Sequence, residues 1–410
     1  MPFQAAPVTS STVAVAVDVG KNEFAVSVTD ASRARLLKSL TRQPMTAPAL
    51  REVTAAITAV LADGARVKVG IEAAGHYHQP LLSPAVWPCG WELLELNPGH
   101  VTEMRKVLGK RTIKTDVIDL IAMTEVMLAG RGQPVSVRDA VLTDINAWSA
   151  HRTRRVQSRT ALKNQLLGQL DRCFPGLTIA LPDVLGTKVG RLIAAEFPDP
   201  ARLAALGPSR FIRFGATRGL QIRKPLADRV TASARDALPM PGAQAARHVL
   251  REDLALLCVL DSQIATADAE LGQLVPASPF RTLTTVPGWG AIRVGKYAAA
   301  VGDPSRWPSH KQLYRAAGLN PMQYESAGKR RDNVISREGS VELRRALIDM
   351  AYGLWLQDPA SKAYARQLKA RGKPGGIIAC ALANRANRIA FALVRDQGDY
   401  DPTKWTLQED

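Results

Sequence analysis

Four carboxylates stand where their spacing suggests chemistry. Asp18 closes the first of two β-prone stretches in TVAVAVDVGKNEFAVSVTD (12–30) and is the only acid in its apolar run. Glu72 ends a second apolar run, VKVGIEA (67–73). If both strands are central in one sheet, the two acids converge at one end. LGKRTIKTDVIDLIAMTEVML reads as a basic loop (Lys110, Arg111, Lys114) leading into a helix, with Asp116 and Asp119 one turn apart on one face. Each acid has a plain alternative as a helix cap, a first-turn acid favoured by the dipole, or a solvated strand end. Together they would repel one another unless divalent cations neutralised them. Hard oxygen donors suit Mg²⁺ or Mn²⁺, and two such ions can clamp the attacking and leaving oxygens of a phosphodiester. The implied reaction class is phosphoryl transfer on a nucleic acid.

A second block, AAGLNPMQYESAGKRRDNVISREGS (316–340), holds a turn-prone stretch around Ser326, followed by Lys329, Arg330 and Arg331. Arg337 lies beyond it, and a helix from about Val341 carries Arg344 and Arg345. A serine hydroxyl is a poor nucleophile unless its proton is taken or developing charge is stabilised. Neighbouring cations could hold a scissile phosphate. By residue type alone Ser326 does not stand out from Ser336 and Ser340. His76 and His78 follow Glu72 as HYH, a conceivable metal pair, but six scattered histidines argue against a zinc site.

The elements that must position these groups span 410 residues, enough for two to three domains. Lys and Arg number 54 against 37 acids, a net +17 that favours a polyanionic partner, most simply nucleic acid. Residues 306–396 alone carry 17 Lys and Arg against 7 acids. No run of roughly 18 apolar residues and no basic-then-apolar leader is apparent, so neither a membrane span nor secretion is expected. Four separated cysteines, never as CxxC, fit a reducing bacterial cytoplasm. Residues 1–138 read as three strands, a helix and two strand–helix units, hence an α/β domain with a mixed central sheet. Residues 139–279 read as a helical connector. Its heptad seam (Leu250, Leu257, Ile264, Leu271, with Leu260, Ala267 and Leu274) is broken only at Asp253 and suits a coiled coil, by self-association or against the 139–174 helix. Within the connector, 175–245 is a partly helical insert with the basic stretch RFIRFGATRGLQIRK (210–224). Residues 280–410 form a mostly α C-terminal domain, where TVPGWGAIRVGKYAAAVGD (285–303) resembles a helix-hairpin-helix able to hold a phosphate.

The blocks VDVGKNEF, GIEAAGHYH and KTDVIDL, followed by VPGWG…VGD…AAGLNP…SAGKRR…ISREGS…LRRAL, resemble the DEDD insertion-sequence transposases. These are RuvC-like, ribonuclease H-fold enzymes described as bridge-RNA-guided serine recombinases. The resemblance covers roughly 12–131 and 282–356. It implies that Asp18, Glu72, Asp116 and Asp119 are catalytic acids holding Mg²⁺ or Mn²⁺, and that Ser326 is a nucleophile forming a phosphoester with DNA. It further implies dimers or tetramers on double-stranded donor and target DNA, a non-coding bridge RNA that supplies sequence choice, and a nucleoid location when bound. Two departures stand out: Ala327 separates Ser326 from Gly328, and 175–245 has no counterpart. Competing expectations are a RuvC-like nuclease or junction resolvase using water, a non-catalytic nucleic-acid scaffold, and an actin-like ATPase. The last lacks a second phosphate loop.

Overall fold

The computed structural model describes residues 12–109, 115–135, 139–240, 244–322, 324–326, 329–331 and 335–405, with backbone alone for 324–326 and 329–331. The chain divides into two compact units, Met1–Val137 and Arg138–Asp410.

The first unit is built on a six-stranded mixed sheet of order β3-β2-β1-β4-β5-β6. β1 (Thr12–Val19) and β2 (Glu23–Asp30) form a hairpin closed by the Gly20 N–H donating to Glu23 O at 2.8 Å. β3 (Arg35–Pro44) is the outer strand, and α1 (Ala47–Thr58) follows it. β4 (Arg66–Glu72) and β5 (Glu92–Leu96) run parallel to β1 in turn, and β6 (Gln133–Pro134) closes the edge antiparallel.

Strand alternation sorts the side chains into two layers. Val13, Val15, Val17, Phe24 and Val26 pack with Leu50, Val53 and Ile57 of α1 on one face. Ala14, Ala16, Ala25, Leu94 and Leu96 pack on the other face with α2 (Pro98–Val107) and α3 (Asp116–Leu128). Small residues dominate the centre of this second face. A Cβ at Gly70 would lie 2.3 Å from Met127 Sδ, so the glycine lets α3 lie directly on the sheet.

In the second unit, α4 (Ala140–Cys173) pairs with α9 (Gln244–Leu274). Arg152 bonds Asp268, while Arg159, two turns further along α4, bonds Asp261, two turns back along α9. The pair is therefore antiparallel. The expected seam is buried at Leu250, Leu257, Leu260, Ile264, Ala267 and Leu271. At the Asp253 break the chain buries Leu254 instead, the apolar residue next to it. The seam is thus satisfied at least in part within one chain.

The 175–245 insert forms α5 (Leu177–Ala180), α6 (Lys188–Glu196), α7 (Pro200–Thr217, kinked at Gly207) and α8 (Lys224–Asp236). Phe174, Val184, Ile193, Phe211 and Val230 join Leu162, Leu166 and Leu257 in a core of their own. The basic stretch 210–224 therefore crosses the end of α7 and the turn before α8.

The remaining helices are α10 (Ala291–Val301), α11 (His310–Ala316), α12 (Val341–Gln357), α13 (Pro359–Ala370) and α14 (Gly375–Asp396), gathered on one hydrophobic core. Among the described residues, α14 alone is long and apolar enough to cross a membrane, and half of its apolar window is buried in this core. Arg385 and Arg388 interrupt it, so it is no continuous apolar run.

The PGWG turn lies between a 3₁₀ segment (Arg281–Thr285) and α10. It is pressed onto α12: Trp289 is 1% exposed and donates from Nε1 to Met350 O at 2.8 Å. A Cβ on Gly353 would sit 2.6 Å from Gly288 O. Gly353→Ala must push turn and helix apart, and we expect a cost of about 1–3 kcal/mol, read as a lower thermal midpoint; an unchanged midpoint would contradict this packing.

Asp261 supplies a pH handle. Burial alone would raise its carboxyl, but hydrogen bonds from Arg191 (2.6 Å) and Arg159 (3.2 Å) hold it below its ordinary value. A carboxyl depressed by folding adds stability above its unfolded pKa and loses it as the pH falls through the folded one. Asp261→Asn should lower the melting temperature at neutral pH by about 2–4 °C, and the difference from wild type should vanish in acid.

Candidate active site

β1 and β4 pair in parallel with Val17 opposite Ile71, so Asp18 and Glu72 come next at the carboxyl ends of neighbouring strands. Neighbouring strands lie about 4.8 Å apart. By alternation both acids belong to the face of Ala16 and Gly70, the face that α3 covers, and both are partly buried. The direction of α3 follows from a distant ion pair. Arg33, just past Asp30 at the end of β2, donates from Nη2 to Glu125 Oε2 at 2.9 Å. Asp30 pairs with Val13 at the start of β1. The last turns of α3 therefore lie toward the beginning of β1, and its first turn lies toward the strand ends that carry Asp18 and Glu72.

Thr115 caps α3, its hydroxyl accepting from the Ile118 N–H at 3.3 Å. Within the first turn the two aspartates separate: Asp116 is exposed, and Asp119 is 4% exposed. Arg105 of α2 donates from Nη1 to Asp119 Oδ1 at 2.8 Å. The fold thus brings Asp18, Glu72 and Asp119 to one face and one end of the sheet, with Asp116 at the rim. All four offer the hard oxygen donors that suit a divalent cation. Among the described residues, however, no three His, Cys, Asp or Glu side chains are arranged as a ready cation site.

The histidines do other work. His78 is buried, accepts at Nδ1 from the Ala74 N–H (3.2 Å) and faces Glu95 Oε1 with Nε2 (3.2 Å). Both ring nitrogens are engaged in holding the loop after β4. His76 is exposed and lies tilted against the Tyr77 ring.

In the second unit, Ser326 ends the short strand β7 (Tyr324–Ser326), which pairs antiparallel with β8 (Lys329–Arg331). Ser326 is opposite Lys329 in that pairing. The side chains of Ser326, Lys329, Arg330 and Arg331, and the residues Lys110, Arg111 and Lys114, lie outside the described part of the chain.

The base of this hairpin is firmly built. Ser336 N–H donates to Asn320 O (2.9 Å), Arg337 N–H to Gly318 O (3.0 Å) and Ser340 N–H to Ala316 O (2.8 Å), and Pro321 bridges Ile335. Gly339, at φ +138°, takes a conformation closed to other residues, and a Cβ there would lie 2.2 Å from Ala316 O. Arg344 is partly buried and donates from Nη1 to Ala317 O at 3.0 Å. Arg337 and Arg345 are exposed. Arg344 is thus a clasp within this base, and Arg105 is a partner of Asp119. Sequence reasoning missed both assignments. The only prior hint was a basic residue on the helix before the acid-bearing one.

A mixed-sheet domain with acids at its strand ends, followed by a mostly helical basic region, fits an enzyme that acts on nucleic acid. Comparison narrows it. A transposase family model, DEDD_Tnp_IS110, matches residues 15–175, and the model of the transposase IS116/IS110/IS902 family matches 280–366. The chain belongs to this IS110/IS116/IS902 family of transposases and is a DNA transposase. It is 26% identical over 408 residues to the insertion element IS900 uncharacterized 42 kDa protein of Mycobacterium paratuberculosis, covering 95% of this chain and 97% of that one. It is 24% identical over 292 residues to the insertion element IS110 uncharacterized 43.6 kDa protein of Streptomyces coelicolor, covering 70% and 72%. It is 26% identical over 294 residues to a probable family 20 transposase of Pseudomonas aeruginosa, covering 70% and 74%. A DEDD-type domain points to use of a divalent metal, in keeping with the oxygen donors found here.

Arg105 and Asp119 are mutually dependent. Losing one partner of a buried ion pair costs about 3–5 kcal/mol. Arg105→Ala should lower the melting temperature, and adding Asp119→Asn should recover part of the loss in a double-mutant cycle. Strict additivity would show that the pair is not coupled.

Proposed function

We propose that this transposase cuts and joins DNA with two sets of groups: Asp18, Glu72, Asp116 and Asp119 around divalent metal, and Ser326 as nucleophile. The acid half is supported by the register that puts Asp18 and Glu72 at the ends of neighbouring strands, on the face covered by the helix that carries Asp119. Bound Mg²⁺ or Mn²⁺ would neutralise those acids and polarise a phosphodiester oxygen. The support for the serine is its place in a hairpin on a rigid base, followed in sequence by Lys329, Arg330 and Arg331. In the proposed step, the Ser326 hydroxyl loses its proton and an Oγ–phosphorus bond forms. The bond from phosphorus to the leaving sugar oxygen breaks, and that oxygen takes up a proton. The resulting phosphoester conserves the energy of the cut bond for rejoining to a second strand.

Donor and target are double-stranded DNA. The finer reading adds a non-coding bridge RNA that chooses sequence by base pairing, and a dimeric or tetrameric enzyme. The net charge of +17 supports a large polyanionic load, and the family resemblance supports the RNA.

The test is a denaturing gel of protein incubated with labelled element-end DNA, RNA and Mg²⁺. Wild type should give a protein-linked DNA band, and Ser326→Ala should give none. Asp18→Ala should lose metal-dependent cleavage while still binding nucleic acid. Cleavage by Ser326→Ala at the wild-type rate would remove the serine and leave a hydrolytic nuclease.

A further inference from the structure

Beside the base of the Ser326 hairpin lies a cavity of about 610 Å³, lined by His310, Lys311 and Tyr314 of α11, Asn320 of the following turn, and Asn384 and Arg388 of α14. Its charge is one-sided, since two cations, a histidine and two amides line it, without a carboxylate. Lys311 and Arg388 are exposed, and neither has a carboxylate within ion-pair distance among the described residues. Other cations of the same core are used up structurally, as with Arg293 and Lys296 on Asp349.

The walls are held in place by partly buried hydrogen bonds. Asn387 of α14 donates from Nδ2 to His310 O at 2.6 Å, and Tyr314 donates from its hydroxyl to Cys380 O at 3.0 Å. Both bonds tie α11 to α14, so the cations are set across a fixed gap. Burial first, then repulsion from Arg388 and Lys311, holds the His310 imidazole below its ordinary pKa. An anion in the gap would relieve that repulsion.

We infer that this cavity is a phosphate-binding subsite that grips the backbone of the DNA strand presented to Ser326. Its wall runs into Pro321, which bridges Ile335 at the foot of the hairpin. Ser326 is five positions beyond Pro321, which is at most about 17 Å of extended chain. At about 3.4 Å per step along a strand, the gripped phosphate lies within about five nucleotides of the one the serine attacks. Lysine, arginine and amide donors around a fixed gap suit a phosphodiester oxygen, and a contact to phosphate positions a strand without selecting its sequence. The link to Ser326 rests on the serine reading above; binding at the cavity does not.

The experiment measures full-length protein binding to a short fluorescein-labelled DNA duplex by anisotropy across a salt series, with adduct formation scored separately. Lys311→Gln with Arg388→Gln should weaken binding about tenfold and make the slope of log affinity against log salt shallower by about one. Lys311→Arg with Arg388→Lys should restore the slope, and Lys224→Gln, an exposed cation on α8, should leave it unchanged. Ser326→Ala should bind with the wild-type slope and form no adduct. An unchanged slope in the Gln variant overturns the subsite even if wild type still forms adducts. A reduced slope with adducts persisting in Ser326→Ala keeps the subsite and removes the serine.

Discussion

The close seating of α3 on the sheet is the contact on which the acid site depends. It is possible because the covered face offers Ala14, Ala16 and Gly70 at its centre, and Gly70 meets Met127 with no room for a side chain. A helix held that near cannot swing, so its first turn stays beside the strand ends bearing Asp18 and Glu72. Arg33 on Glu125 fixes the far end. The opposite face is filled by valines and α1.

Burying carboxylates raises a problem that the fold solves locally. Asp119 is taken out of water and given Arg105. The C-terminal block uses a similar logic in backbone form. Ser326 ends a short strand, but the hairpin rises from a base stitched by three main-chain bonds and locked by Arg344, so a short element is set on a rigid foundation.

Cations in this protein do two kinds of work that composition does not separate. Arg105, Arg159, Arg191, Arg293 and Arg344 are spent on carboxylates or carbonyls inside the fold. Lys311, Arg337, Arg345 and Arg388 are exposed at the surface. The surplus of positive charge announced a nucleic-acid partner, but only packing could say which members of it are available. For the same reason Arg344 and Arg345, adjacent in sequence and grouped together as nucleic-acid contacts, part company: successive residues on a helix point about a hundred degrees apart, and one faces the clasp while the other faces water.

The residues alone determined the mixed-sheet domain, its hairpin, the strand-end acids and the helical character of the second unit, because alternation and heptad spacing are local patterns with few structural solutions. They also carried the membership of the transposase family, through blocks whose order is unusual even where each block is short. The tertiary structure decided everything that depends on contacts between distant segments. It paired α4 with α9 in one chain, gave the insert its own core, assigned both nitrogens of His78 and attached Arg105 to Asp119. It also showed that the PGWG turn packs against Gly353, since a buried Trp289 and a missing Cβ are visible only when the partner helix is in place.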